Sequence, residues 1–328
     1  MSYEEFLEYI KEHLAEHFVL RKQEMQGDKA SIDKDEYEVE VHKTSKNNGI
    51  ILDGVTIRKK GEKVSPNIYL NNYYDCYKMG KPLSLILEEI LDQYERVKVE
   101  NVPEVDNVLD FDTVRDKIIV RLVNYEKNEE QLRNCPHLKY LDLAITFRYV
   151  AGVDSAGMAS SLITNEEYGG WDIGQEDLYR IALDNTVRYF PWQMDSLTNV
   201  ILNAIKAKDP GLLPKEIIED VNEIDKMEGS IVMYVLTNNM GINGATCVLY
   251  EDVLRNFAKV HDSNVYLLPS SLHEMILVVD NDDIDPVFLQ ELVRDANCSA
   301  VGMIDLLSDN IYYYDREEDE VRIYDRVA

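Results

Sequence analysis

Tyr37-Glu38-Val39-Glu40-Val41-His42 alternates apolar and charged side chains, and Lys46-Asn47-Asn48-Gly49 follows before Ile50 to Arg58 resumes an extended pattern. Alternation with a period of two puts the apolar set on one face of a strand. Asn and Gly tolerate left-handed dihedrals, so the stretch between predicts a tight turn and the whole predicts a β-hairpin. Toward the N-terminus, Ser2-Tyr3-Glu4-Glu5 has the spacing of a capping box, and Phe6, Ile10, Leu14 and Phe18 recur at helical intervals. An amphipathic helix to residue 20 is expected there. Toward the C-terminus, Asn67 to Leu70 is expected as a third short strand. Pro82 then precedes a helix carrying Leu83, Ile86, Leu87, Ile90, Leu91 and Tyr94.

Residues 98–112 are acidic and weakly patterned, which places a first boundary there. Beyond it, Lys117 to Tyr125, Tyr140 to Val150 and Met158 to Thr164 read as strands, with Asn128 to Asn134 as a short helical link. Helices are expected near 175–187 and 194–207, the second marked by Leu197, Val200, Ile201, Ala204 and Ile205 on one stripe. Asp209-Pro210-Gly211 and Pro214 break it and mark a second boundary. In the last third, strands are expected at 231–237, 245–249, 264–268 and 272–279, and helices at 250–260 and 286–297. A terminal hairpin pairs Ile311–Tyr314 with Val321–Tyr324. Paired strands punctuated by helices, rather than strict alternation, indicate an α+β fold. The expected division is a helix, hairpin and helix module over 1–104, a middle α+β lobe over 105–209 and a C-terminal α+β lobe over 210–328.

The 328 residues carry 62 acidic and 34 basic side chains, a formal charge of −28. That balance argues against nucleic acid as a partner, because phosphate contacts need clustered Lys and Arg. It equally disfavours an anionic membrane surface. Glu4, Glu5, Glu8, Glu12 and Glu16 interrupt any apolar leader. No window approaches the roughly eighteen apolar residues of a membrane span. Cys76, Cys135, Cys247 and Cys298 are scattered without a CxxC pair, as expected of reduced structural thiols. A cytoplasmic globular protein is expected.

Candidate chemistry is sparse. His13-Leu14-Ala15-Glu16-His17 fits H-x-x-E-H, in which two histidines on one helix face hold zinc. Both histidines flank the angular position of Phe6 at the edge of the apolar stripe, and no third ligand is indicated, so they are read as structural and no metal is expected. Ser270-Ser271-Leu272-His273-Glu274 offers a nucleophile, a base and a carboxylate within five residues. Ser271 and His273 share a strand face and Glu274 does not, and no G-x-S-x-G elbow is present. Arg121 and Asp142 sit among apolar residues in expected strands, where an ion pair across the sheet is the expectation. Asp280-Asn281-Asp282-Asp283-Ile284-Asp285 fails the calcium-loop pattern in both registers tried, and the familiar nucleotide-binding loops are missing, so no cofactor is expected. Tyrosine is over-represented, 21 against 7 Phe, with clusters at Tyr69, Tyr73, Tyr74 and Tyr77 and at Tyr312, Tyr313 and Tyr314. Half-buried packing accounts for such tyrosines, and a binding surface is the alternative.

Several segments together resemble an uncharacterised firmicute family catalogued as a domain of unknown function, family five-six-eight-eight. They are Val41-His42-Lys43 leading to Lys46-Asn47-Asn48-Gly49 and Leu52-Asp53-Gly54, then Ile68-Tyr69-Leu70-Asn71 before Tyr73-Tyr74, then Arg121 through Asn128. Leu141-Asp142-Leu143, Met233 through Asn238, Leu268 through Glu274 and Leu307-Ser308-Asp309 complete the series, in one order over nearly the whole chain. Trp171-Asp172-Ile173 with Glu176-Asp177-Leu178, followed by Gly244-Ala245 to Pro269, is more faintly similar to a second uncharacterised bacterial family with an α+β arrangement. Neither family has an assigned activity, so the resemblance supplies no catalytic residue and no ligand.

The expected function is a non-catalytic binding or adaptor protein that contacts another protein through a tyrosine-lined or acidic surface. Ser270, Ser271, His273, Glu274, Tyr73 and Tyr74 are its candidate contacts, and no residue is assigned a catalytic role. The alternative is a hydrolase-like enzyme with a pocket near Ser271 and His273, completed by Arg121 or Asp142. A third possibility is an acidic decoy that fills a basic nucleic-acid-binding groove.

Overall fold

The structure, a computed structural model, describes residues 1–26, 36–60, 65–97, 110–154, 157–208, 231–281 and 284–324. The chain divides into two compact units, residues 1–106 and 107–328. The expected boundary residues 98–109 and 209–230 lie outside the described residues.

The first unit opens with α1 (Tyr3–Gln26). Its capping box forms: Ser2 Oγ accepts from Glu5 N at 3.2 Å, and Glu5 Oε2 accepts from Ser2 N at 2.7 Å. Strands β1 (Tyr37–Ser45), β2 (Ile51–Lys59) and β3 (Asn67–Tyr69) follow as an antiparallel sheet in that order, then α2 (Asn71–Lys78) and α3 (Leu83–Val97). Asn48 and Gly49, at φ 60° and 68°, take the left-handed positions of the β1–β2 turn. Phe6, Ile10, Leu14 and Phe18 of α1 pack with Ile86, Leu87, Ile90, Leu91 and Tyr94 of α3 against Val55, Ile57 and Ile68. Full burial of each such side chain contributes about 1.5–3 kcal/mol.

Two hydrogen bonds fix which way the groups of β1 point. Lys46 N donates to Ile50 O at 2.7 Å and Lys60 N to Glu36 O at 2.8 Å, bracketing an uninterrupted register. Antiparallel pairing alternates, so even-numbered residues of β1 bond to β2. Val39, Val41 and Lys43 therefore turn their backbone N–H and C=O to the opposite edge. Among the described residues no strand pairs there.

The second unit runs α4 (Phe111–Val114), β4 (Ile118–Asn124), α5 (Glu129–Leu132), β5 (His137–Tyr140), β6 (Leu143–Asp154), β7 (Gly157–Leu162), α6 (Asn165–Gly169), α7 (Gln175–Tyr189), β8 (Trp192–Ser196) and α8 (Leu197–Lys208). It continues with β9 (Met233–Asn238), α9 (Val253–His261), β10 (Val265–Ser271), β11 (Glu274–Val279), α10 (Pro286–Ser299), β12 (Tyr312–Asp315) and β13 (Glu320–Ile323). In one sheet β6 pairs with β4 along one side and with β5 and then β7 along the other. The other sheet has six strands in the order β13-β12-β10-β11-β9-β8. Helices and antiparallel sheets together make the fold α+β. Ile118, Val120, Leu122, Ile145 and Phe147 of the first sheet share a core with Leu236, Leu267, Met275 and Leu277 of the second and with Leu178 and Ala182 of α7. Leu289 and Val293 of α10 cover Tyr266, Leu268 and Val278 on the other face of the larger sheet.

β4 is an edge strand whose outer side is closed by side chains. Val120 N donates to Thr186 Oγ1 at 2.9 Å and Leu122 N to Thr246 Oγ1 at 3.4 Å, while Ile118 O accepts from Asn185 Nδ2 at 2.9 Å. Buried backbone groups need such partners, and here α7 and the 244–249 turn supply them.

Residues 192–196 and 245–249 differ from the sequence pattern. Residues 192–196, expected partly as helix, pair with β9, which delays α8 to Leu197. Because β8 precedes residues 209–210 and β9 follows them, the segments assigned to separate lobes share one sheet. Residues 245–249, expected as a strand, lie in a 3₁₀ turn over Gly244–Leu249 entered through Asn243 at φ 54°. Gly244 there packs so tightly that a Cβ would lie 2.3 Å from His273 O and 2.2 Å from Thr237 Oγ1. His137 opens β5.

Candidate functional site

The 270–274 segment joins β10 to β11 across a register shift between Pro269 and Ser271. Ser270 Oγ donates to Glu274 Oε1 at 3.1 Å, so these two expected contacts bind each other. Ser271 Oγ accepts from His273 N at 3.0 Å, a local turn closure typical of serine. The His273 ring is held on both sides. Asn243 N donates to Nδ1 at 3.2 Å, and Nε2 lies 3.3 Å from Asp305 Oδ1. A backbone N–H makes Nδ1 the acceptor and leaves the neutral ring's proton on Nε2, facing the carboxylate. His273 O accepts from Thr237 Oγ1 at 2.7 Å, anchoring the turn from below. Neither ring nitrogen is directed at Ser271, so the arrangement has no nucleophile–base contact of the kind acyl transfer needs.

Arg121 and Asp142 do not pair, contrary to expectation. β4 and β6 adjoin, but their register sets Arg121 opposite Thr146, while Asp142 lies in the turn that precedes β6. Asp142 instead accepts from Ser308 Oγ at 2.6 Å, Asn310 Nδ2 at 3.0 Å and Tyr312 OH at 2.8 Å. Burial and then the Asp142 charge hold the Tyr312 phenol far above its ordinary range.

In the first unit, α1 and β1 border a groove of about 310 Å³ lined by Glu4, Leu7, Glu8 and Lys11 from the helix and Val41, His42 and Lys43 from the strand. Asp53 also lines it, with its carboxylate fixed by Tyr3 OH at 2.9 Å. The groove runs beside the edge of β1 that no strand pairs among the described residues. On the exposed face of α1, Glu4, Glu8, Glu12 and Glu16 recur every fourth residue, and none forms an ion pair among the described residues. Like charges at that spacing cost a helix about 0.2–0.5 kcal/mol per pair.

Residues 3–316 match the family described as a family of unknown function, DUF5688. The chain belongs to that family. No curated protein and no solved structure matches the chain at a significant level.

Elsewhere in this DUF5688 chain the remaining candidates are engaged in packing. Tyr74 stacks among Tyr3, Phe6 and Tyr77 with centroids 4.9, 5.3 and 6.1 Å away, and its hydroxyl donates to Met1 O. Tyr73 is half-buried against the same core, and burial raises its phenol. Tyr312 and Tyr314 are buried, and Tyr313 OH donates to Asp280 Oδ2 at 2.6 Å. The His13 ring stacks on Tyr9 at 4.0 Å, and His17 Nδ1 lies 3.8 Å from Glu88. Among the described residues no cluster of three or more His, Cys, Asp or Glu could hold a metal, and no helix is long and apolar enough to cross a membrane. Asp282 and Asp283 of the acidic loop lie outside the described residues, while Asp285 caps α10 through Val287 N at 2.9 Å. The partners of His273, Asn243 and Asp305, are about thirty residues away on either side and leave no local motif.

Proposed function

We propose that this chain is a non-catalytic protein-binding module that takes an extended, basic segment of a partner along the outer edge of β1. The observation that carries the reading is the edge that no described strand pairs: Val39, Val41 and Lys43 present backbone donors and acceptors beside a groove walled by α1. Strand addition uses such an edge for affinity and the flanking groove for side-chain selection. The formal charge of −28 and the glutamate row on α1 steer basic partners toward the module and repel acidic ones. The engagement of Ser271 and His273 by structural partners supports a binder over a hydrolase.

The test uses Val41→Pro. That change deletes an outward N–H and leaves the even-numbered bonds to β2 in place, a position where an edge strand accepts proline. Peptides selected from a random phage-displayed library against the full chain should be basic and should lose at least tenfold in affinity for Val41→Pro. Selected peptides that bind Val41→Pro as tightly as the parent refute strand addition at this edge.

A further inference from the structure

One face of the four-stranded sheet in the second unit concentrates positive charge. The register places Arg121, Thr146 and His137 in one row across β4, β6 and β5, and Ile119, Arg148 and Leu162 in the next across β4, β6 and β7. Lys139 follows in the row of Val123 and Ala144. These rows face away from the core that Ile118, Val120 and Leu122 share with the larger sheet. They bring two arginines, a histidine and a lysine onto one face, beside the small apolar core of Val123, Leu132, Cys135 and Ala144, in a chain that carries almost twice as many acids as bases.

The arginines are poorly compensated. Arg121 is half-buried, its Nε is sealed from solvent without a hydrogen-bond partner, and the residue forms no ion pair among the described residues. Arg148 is also half-buried and, among the described residues, is held by Ser160, with Nε to Oγ at 3.0 Å and Nη2 to the carbonyl at 2.9 Å. The two are diagonal neighbours, near enough for each cation to raise the cost of the other. The nearest acidic influence on Arg121 comes from Asp305, whose carboxylate is engaged by His273. Guanidinium does not escape burial by losing its proton, so half-buried arginines are ordinarily matched by an anion. Its planar fork matches the oxygens of phosphate and carboxylate.

We propose that this sheet face is an oxyanion-binding site in which Arg121 and Arg148 hold a phosphate or carboxylate group between them. The site lies in the other unit from the β1 edge and does not depend on strand addition there. His137 and Lys139 border it, and the lysine adds positive potential.

The experiment follows the arginine Nε–Hε resonances of the full-length ¹⁵N-labelled chain, assigned with Arg121→Met and Arg148→Met. Titrants are inorganic phosphate, acetate and sodium chloride at matched ionic strength. Phosphate should move both resonances with saturation while chloride leaves them in place, and either substitution should weaken binding at least tenfold. A saturable response to acetate but not phosphate assigns the site to a carboxylate, and the reverse assigns it to phosphate. Methionine keeps the apolar stem, so Arg121→Met in chloride should melt at or above the parent temperature, and Arg148→Met reports independently if it does not fold. Shifts that track chloride for every titrant, or undiminished binding by both variants, overturn the proposal.

Discussion

Replacing Asp142 by alanine probes the carboxylate that ties the start of β6 to the 308–312 segment. Its oxygens accept from Ser308 Oγ, Asn310 Nδ2 and Tyr312 OH at 2.6, 3.0 and 2.8 Å. Ser308 and Tyr312 are 1% and 2% exposed, so water cannot replace the lost acceptor. Each buried donor left unmatched costs about 1–3 kcal/mol, and the half-buried Asn310 amide costs nearer 0.5–1 kcal/mol. The expected loss is about 2.5–7 kcal/mol, a large share of the roughly 5–15 kcal/mol that holds an ordinary domain together. Asp142→Asn keeps the shape and one acceptor and should lose about 1–3 kcal/mol. Urea unfolding followed by tryptophan emission reads the effect, because Trp171 and Trp192 both lie in the second unit and Trp171 is buried. A loss below about 1 kcal/mol for Asp142→Ala would show that the three donors find other partners and that the network is not a clasp.

Gly244→Ala should destabilise by about 3 kcal/mol or prevent folding, because the new Cβ meets the His273 carbonyl and Thr237; a midpoint equal to the parent's would refute that packing. Thr186→Val removes the acceptor of Val120 N and should cost about 1–3 kcal/mol in the same urea assay. Burial pushes the Cys135 and Cys247 thiols up from their usual 9.0 to about 11 and about 12. The unfolded chain sheds those protons first, so stability is fully present below the unfolded value. It falls as pH rises above about 9, by up to about 1.4 kcal/mol per pH unit for each thiol until its folded value is passed. Urea midpoints taken between about pH 8 and pH 11 should show a shallower decline for Cys247→Ala than for the parent. A thiol-reactive disulfide reagent should label exposed Cys298 within minutes and buried Cys247 only on unfolding; equal rates would contradict the burial.

Local patterns carried much of the fold. The row Phe6, Ile10, Leu14 and Phe18 and the turn at Asn48-Gly49 are complete in themselves, so helix and hairpin were legible from neighbours alone. Trp192 to Ser196 was not, since its strand conformation comes from pairing with Met233 to Asn238, and nothing within five residues announces it. Ala245 to Leu249 misled because an apolar run is equally good in a buried turn, and the close approach that only Gly244 permits depends on residues from β9 and the β10–β11 turn. The site was legible in part. Ser271 and His273 are together as their spacing suggested, but the hydrogen bond from Asn243 and the nearby Asp305 carboxylate decide what they can do. Arg121 was noticed as a charge among apolar residues; its neighbour across the sheet is Arg148 and not Asp142, which only the register reveals.

The closed edge of β4 has a consequence for synthesis. Ile118-Ile119-Val120-Arg121-Leu122-Val123 leaves the ribosome well before its covers, since Thr186 lies 66 residues after Val120 and Thr246 lies 124 after Leu122. At roughly 5–20 residues per second, the first cover arrives after about 3–13 s and the second after about 6–25 s. For that interval the strand is a sticky template for any neighbouring nascent chain on the same message, and fast translation or a bound chaperone shortens the hazard.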